Sequence, residues 1–257
     1  MPCMIPGMAL PRIPFVPTKN FTRGTPDRRK YDLIVVHDME YPEREAAAET
    51  VAQYFATTDR QVSSHYCIDA DSIVQCVKLA DVAWCAPGAN HNGIQLEHAG
   101  YARQSAAEWR DPYSTAMLDL SAELTAYLCG KFAIPRRYVN KAGLLEGRRG
   151  ITTHNDASDA FKLSSHYDPG PNFPMEWYIE RVRFHSGSKP NPNEKTWPVP
   201  IPKWFWKWAR WKLGEGEYVH RGQHSKIPLP RPPIPDGVVP GWAHARLAAL
   251  IEHRKGL

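Results

Sequence analysis

Asp32-Leu33-Ile34-Val35-Val36-His37-Asp38-Met39-Glu40 is the stretch from which the rest of the chain is read. A short, continuous run of Leu, Ile and Val predicts a strand buried on both faces. It ends in a histidine, and a side chain leaving such a strand is held rigidly beside the loops where α/β proteins keep their chemistry. Thr153-His154-Asn155 and His166-Tyr167-Asp168-Pro169-Gly170-Pro171 look like its partners. Together they offer His37, His154 and Asp168, two neutral nitrogens and one anionic oxygen, a set that a catalytic zinc takes while keeping one position open. Any one of the three, alone, reads as a packed or hydrogen-bonded side chain. The set carries the chemistry.

The 257 residues, 42% of them hydrophobic, suffice for one sizeable core and a smaller appendage. No uninterrupted apolar run is long enough to span a bilayer, which predicts a soluble protein without a transmembrane segment. Residues 1 to 17 are apolar but broken by five prolines. Without a basic start or a continuous apolar stretch they do not read as a secretory signal. Cys3, Cys67, Cys76, Cys85 and Cys129 form no C-x-x-C pair and leave one over in any pairing. They are expected to be reduced thiols of a protein made in a cytosol. The net charge of +5 is mild and suits a polyanionic partner, nucleic acid or anionic cell wall, without choosing between them.

After the His37 strand, Pro42 to Phe55 predicts a helix with Ala47, Val51, Tyr54 and Phe55 on one face. Val62–Ile68 and Ser72–Val77 predict a hairpin around Asp69-Ala70-Asp71. Residues 88 to 93 form a loop, and Ile94 to Gly100 another strand. Thr115 to Phe132 is the clearest helix, with Gly130 and Pro135 marking its end. Residues 136 to 153 read as a basic connection, and Pro174 to Phe184 as a last helix packing through Trp177, Ile179, Val182 and Phe184. This order predicts an α/β fold, a mixed central β-sheet flanked by helices, with a small Pro/Trp-rich C-terminal appendage. The expected organisation is a Pro-rich lead-in over 1–30, a catalytic domain over 31–185, a linker over 186–196 and a tail over 197–257. The tail sets Trp197, Trp204, Trp206, Trp208, Trp211 and Trp242 among Lys203, Lys207, Arg210 and Lys212, and 242 to 253 can form a short amphipathic helix.

The order V-V-H, V-S-x-H, G-I-x-L-E, T-H-N and H-x-D-P-G-P resembles the zinc-dependent N-acetylmuramoyl-L-alanine amidases of the amidase-2 family, over residues 31 to 184. That family includes phage endolysins and peptidoglycan-recognition proteins. The Pro-rich entry, the Asp-Ala-Asp turn and the basic Trp-rich tail look most like endolysins of phages that infect actinobacteria. The resemblance implies Zn2+ held by His37, His154 and Asp168. It also implies a glutamate base on a strand facing the metal. Counting from Gly93-Ile94 puts that position at Gln95, and counting back from Gly100 puts it at Glu97. Residues two apart share a strand face, so both can look at the metal, but only Glu97 can take a proton. Glu97 is therefore the expected base, with orientation of a nearby histidine as its other reading.

Some relatives carry lysine two before Asp168. Here it is His166, expected to steady an oxyanion or protonate the leaving amine, or else to be an exposed neighbour of Asp168. Ser64 stands where some relatives have a tyrosine, so no catalytic tyrosine is expected. Ala83-Trp84-Cys85-Ala86-Pro87-Gly88 resembles a groove segment in which many relatives carry histidine at Cys85, and no role is required of Cys85. His65, Tyr66 and His98 read as core or hydrogen-bonded residues.

The implied reaction is hydrolysis of the amide between N-acetylmuramic acid and the L-alanine of the stem peptide. Peptidoglycan is the expected partner, with the tail contacting anionic wall polymer or packing back on the catalytic domain. Nucleic acid is not expected as a partner, and a monomer is. An endolysin would be made in the host cytoplasm and act on the wall after release. The rival readings are a non-catalytic peptidoglycan receptor and a cytosolic muropeptide-recycling amidase. The first needs Glu97 to be something other than the base, or the metal site to stay empty; the second has little use for the tail.

Overall fold

The computed structural model describes residues 13–25 and 29–187, and beyond them only the backbone of two short strands. The chain divides into two units, Arg12–Trp197 and Met1–Pro11 with Pro198–Leu257. In the second unit, Tyr218–His220 pairs antiparallel with Gln223–Ser225. The linker, the tryptophan-rich run and the helix expected over 242–253 lie outside the described residues.

In chain order the first unit carries β1 (Phe21–Thr22), β2 (Leu33–Asp38), α1 (Ala47–Thr57), β3 (Tyr66–Ile68), β4 (Ile73–Gln75), β5 (Val82–Ala83) and β6 (Gly93–His98). There follow α2 (Pro112–Phe132), α3 (Lys141–Leu145), β7 (Gly150–Thr153), α4 (His154–Phe161) and α5 (Met175–His185). The central sheet has the order β4-β3-β6-β2-β7, and β1 and β5 form a separate antiparallel pair. β3, β6, β2 and β7 run parallel and β4 antiparallel at the edge, which makes the sheet mixed. All six residues of β2 are buried, as a strand with parallel neighbours on both sides must be.

Leu33 and Val35 share one face of β2 with His37, and pack with Val139, Leu144 and Ala157 from the α3–α4 side. On the opposite face Asp38 is paired in register with His98, whose ring reaches Ser121 of α2. Ala48, Val51, Ala52 and Phe55 of α1 cover Cys67, Val74 and Cys76 of the β3–β4 hairpin. The fold is thus the expected mixed sheet flanked by helices.

Element boundaries shift where tertiary contacts outbid local preference. α1 begins at Ala47 rather than Pro42, because Glu43 accepts from Gln104 Nε2 at 2.9 Å and from the Ser114 hydroxyl. The helix start is capped from outside instead: Ala48 N–H donates to Asp69 Oδ2 at 3.0 Å. Tyr54, expected on the apolar face, is 42% exposed. α2 starts at Pro112, earlier than expected, since Asp111 accepts from Ser114 N–H at 2.8 Å and Pro112 needs no donor at that position. Gly130 stays helical, and the left-handed cap falls on Ala133 at φ 53°. In α5 the buried side chains are Tyr178, Ile179 and Val182, while Phe184 is 45% exposed. The connection expected over 136–153 holds α3 and β7.

Arg29, part of the basic run before β2, is only 7% exposed. Its guanidinium donates to the carbonyls of Leu79 (2.9 Å), His91 (2.8 Å) and Gly93 (2.8 Å), and so closes the loops that lead into β6.

α2 and α5 are joined by a buried charge cluster. Asp119 accepts from Arg181 Nε at 2.6 Å and from His185 Nε2 at 2.9 Å. Burial alone would raise the Asp119 carboxyl, but His185 and Arg181 hold it down at about 2. A carboxyl depressed in the fold stabilises it above the unfolded pKa of about 4, and that contribution is lost as pH falls from about 4 toward 2. Asp119→Asn is expected to cost about 2–3 kcal/mol at neutral pH in urea unfolding, and to flatten this acid limb. An unchanged limb would remove Asp119 from the account.

Candidate metal centre and active site

The site lies at the C-terminal ends of three parallel strands. His37 of β2 pairs in register with Glu97 of β6, and Val36 with Thr153 of β7, so His154 emerges level with His37. Thr153 ends the strand and caps α4. Its Oγ1 accepts from Asp156 N–H at 3.0 Å and its hydroxyl donates to Asp156 Oδ2 at 2.7 Å. His154 is therefore fixed from both sides. The segment bearing Asp168 is anchored by Asn155 N–H, which donates to the Asp168 carbonyl at 2.9 Å. Gly170 follows at φ +85°, and a Cβ there would fall 1.9 Å from the Ala102 carbonyl oxygen, so only glycine lets the loop close this tightly.

His37, His154 and Asp168 are 1%, 4% and 6% exposed. Nδ1 of His37 lies 3.0 Å from Asp168 Oδ2, and Nδ1 of His154 lies 3.0 Å from Oδ1. Burial acts to raise the Asp168 carboxyl, but hydrogen bonds from His154 and His37 carry it well below the usual carboxylate range. Behind each ring the far nitrogen is engaged. Gln95 Oε1 accepts from His37 Nε2 at 2.9 Å, and Gln95 Nε2 donates to the Ala89 carbonyl at 3.1 Å. Ser164 Oγ is 3.3 Å from His154 Nε2. Both Nδ1 atoms thus face the carboxylate, and the ligand atoms of the three residues lie within 4.8 Å of one another. Two imidazoles and a carboxylate, buried, converging and backed by hydrogen-bond partners, fit a zinc-type cation.

Glu97 stands on the same face and is 6% exposed. Its Oε1 accepts from the Cys85 thiol at 3.1 Å, and its Oε2 is buried with no partner. Burial, with the Asp168 charge adding and His37 opposing, raises the Glu97 carboxyl to about 7. A carboxyl tuned to neutrality can both take and return a proton.

The sequence profile of the family described as N-acetylmuramoyl-L-alanine amidase matches residues 27–171, more than half of the chain and all of this site. The chain belongs to the amidase-2 family. Among solved structures, its fold is similar to that of the Staphylococcus aureus hydrolase AmiA, crystallised with its ligand. The two are 16% identical with a TM-score of 0.54, covering 72% of this chain and 90% of that one. An AmpD derivative is 21% identical with a TM-score of 0.47, covering 69% and 99%. A mutant endolysin from Bacillus subtilis is 17% identical with a TM-score of 0.47, covering 66% and 97%. No curated protein sequence matches the chain significantly.

The other histidines of this amidase-family chain divide cleanly. His166 sits at the mouth with its side chain 72% exposed, Nδ1 3.7 Å from Asp168 Oδ1. Its ring is stacked on that of His154, centroids 4.9 Å apart. His98 is fully buried. Its Nδ1 donates to the His37 carbonyl at 2.8 Å and its Nε2 accepts from Ser121 at 2.6 Å, a chain that continues to Tyr178 at 2.8 Å. Burial drops His98 to about 4. It is a neutral strut holding the backbone of β2 against α2 and α5. His65 accepts from Gln95 N–H at 3.0 Å, and burial beside Arg29 lowers it to about 3. Ser64 donates to the Gln95 carbonyl at 2.9 Å. Trp84 Nε1 donates to Thr22 Oγ1 at 2.8 Å, tying the groove segment to β1.

Two residues of the site were invisible to sequence reasoning in their roles. Gln95 is legible as a residue facing the metal that cannot take a proton, but not as the group that orients His37. Cys85, of which no role was required, lies 3.1 Å from Glu97 Oε1 and 3.7 Å from His37 Nδ1. A polar residue two before a base on one strand is the available signal for the first; for Cys85 it is the place in the groove segment where many relatives carry histidine.

Proposed function

We propose that this chain is a zinc-dependent, endolysin-type peptidoglycan hydrolase that cleaves the amide between N-acetylmuramic acid and the L-alanine of the stem peptide. The observation that carries this is the buried, unpartnered Glu97 Oε2 on the same sheet face as the His37–His154–Asp168 trio. A zinc ion held by those three residues would polarise the scissile carbonyl and bring the pKa of a water toward 7.

The protein's own groups do the rest. Gln95 and Ser164 keep both imidazoles turned toward Asp168. Glu97 takes the proton from the attacking water on Oε2, while Cys85 holds Oε1. As the carbon–nitrogen bond breaks, Glu97 returns that proton to the departing alanine nitrogen. His166, at the solvent edge, donates to the oxyanion that develops on the carbonyl oxygen. The products are a glycan freed of peptide and a free stem peptide. The tryptophan- and lysine-rich residues 197–257 supply stacking surface for sugars and positive charge for anionic wall polymer, which supports a wall-lysing role over recycling of small muropeptides.

The test is release of free stem peptides from whole purified walls and from small soluble muropeptides. Three samples are compared: the zinc-loaded chain, the chelated chain and a chain ending at Gly187. Chelation is expected to abolish release from both substrates, with zinc restoring it. Truncation is expected to lower release, and sedimentation, with whole walls only. A zinc-loaded chain that binds walls and releases nothing is a receptor. Truncation without effect on walls leaves the tail no binding role.

A further inference from the structure

Cys85 is the functional group at the site that the proposed reaction uses least. Its Sγ is 3.7 Å from His37 Nδ1 and 3.1 Å from Glu97 Oε1. These three ligand atoms lie within 4.8 Å of one another, the one other such group among the described residues besides His37, His154 and Asp168. A tetrahedral cation bound to sulfur at about 2.3 Å and to imidazole nitrogen at about 2.0 Å holds the two ligand atoms roughly 3.6 Å apart. The sulfur–nitrogen separation of 3.7 Å meets that figure, and the sulfur–oxygen separation of 3.1 Å falls about 0.5 Å short of it. Glu97, 6% exposed, meets the sulfur through Oε1, and its other oxygen, Oε2, is buried with no hydrogen-bond partner.

We propose that His37, Cys85 and Glu97 form a second, thiolate-bearing metal position, which a soft divalent cation takes at the expense of catalysis. Binding replaces the thiol proton by a sulfur–metal bond and releases the proton to solvent, with no change of oxidation state. Both trios draw on His37, so occupation of one disturbs the other. Occupation of the thiolate set also engages Glu97, which rests on the reading of Glu97 as the base. Sulfur ligation selects soft cations, and a hard cation such as magnesium has no preference for this set.

The experiment titrates the zinc-loaded full chain and its Cys85→Ala variant with cadmium. It follows the ultraviolet charge-transfer band of a cadmium–thiolate bond and stem-peptide release, each protein read against its own cadmium-free rate. The difference between the two proteins isolates Cys85 from Cys3, Cys67, Cys76 and Cys129. The wild type is expected to gain a band that the variant lacks, and to lose peptide release at a cadmium concentration the variant withstands. Magnesium is expected to do neither. Identical bands, identical cadmium sensitivity or equal inhibition by magnesium would overturn the proposal. A wild type that shows the difference band but releases no peptide even without cadmium keeps the metal position and removes the amidase reading. An active wild type with no difference band does the reverse.

Discussion

Glu97→Gln is expected to lower stem-peptide release about 10²- to 10⁴-fold, the usual worth of a positioned general base, while the chain still holds about one zinc. The substitution is isosteric, and its amide oxygen can still accept from the Cys85 thiol that now sits 3.1 Å from Oε1. What it removes is the basic lone pair on the oxygen that has no partner. The fold should not suffer, because burial already disfavours the charged carboxylate and has raised its pKa to about 7. Zinc content by elemental analysis, far-ultraviolet circular dichroism and peptide release together separate the outcomes. Retained zinc with lost release supports Glu97 as the base. Loss of zinc would make Glu97 a ligand, and retained release would send the search for a base elsewhere on the face.

Asp168→Ala is expected to have the larger effect, because it removes a ligand rather than a proton carrier. Asp168 is the residue that both imidazoles address, at 3.0 Å each. Removing residues that merely hydrogen-bond to a metal's ligands costs about 10- to 100-fold in metal affinity. Loss of an anionic ligand should exceed that, leaving the purified chain without stoichiometric zinc and its peptide release at background. Zinc added in excess should restore little. A variant that keeps one tightly bound zinc and ordinary release would exclude Asp168 from the metal set, and with it the mechanism. The contrast is the useful part: Glu97→Gln separates metal from rate, and Asp168→Ala removes both.

Much of this fold was legible in the chain because its strongest elements obey one period throughout. The β2 run has no polar interruption, and α2 shows an apolar stripe through Met117, Leu118, Leu124 and Leu128, all buried. The β3–β4 hairpin announced itself through Asp69, whose Oδ1 accepts from Asp71 and Ser72 N–H at 3.1 and 2.8 Å. The region over residues 136–161 was not legible. α3 and β7 are five and four residues long. α4 presents a largely polar sequence, and segments this short owe their structure to the neighbours that bury them. Even so, Thr153 with Asp156 three residues on was a usable helix-start signal.

The site divides in the same way. Sequence alone determined the donor chemistry: which side chains bring nitrogen, oxygen or sulfur, that Gln95 and Glu97 share a face, and that His37 leaves a buried strand. Tertiary structure decided what those donors do, because strand register joins residues far apart along the chain. The pairing of His37 with Glu97 follows from β2–β6 register, and the meeting of His154 with His37 from β2–β7 register. Arg29 is interior only because the carbonyls of Leu79, His91 and Gly93 converge on it. Cys85 adjoins His37 and Glu97 because its loop lies on their face of the sheet, where Ala86 and Ala89 pack with Leu33 and Val35. A local sequence carries propensities over a few residues; a buried charge or thiol acquires its role from what three-dimensional packing sets within about 4 Å of it.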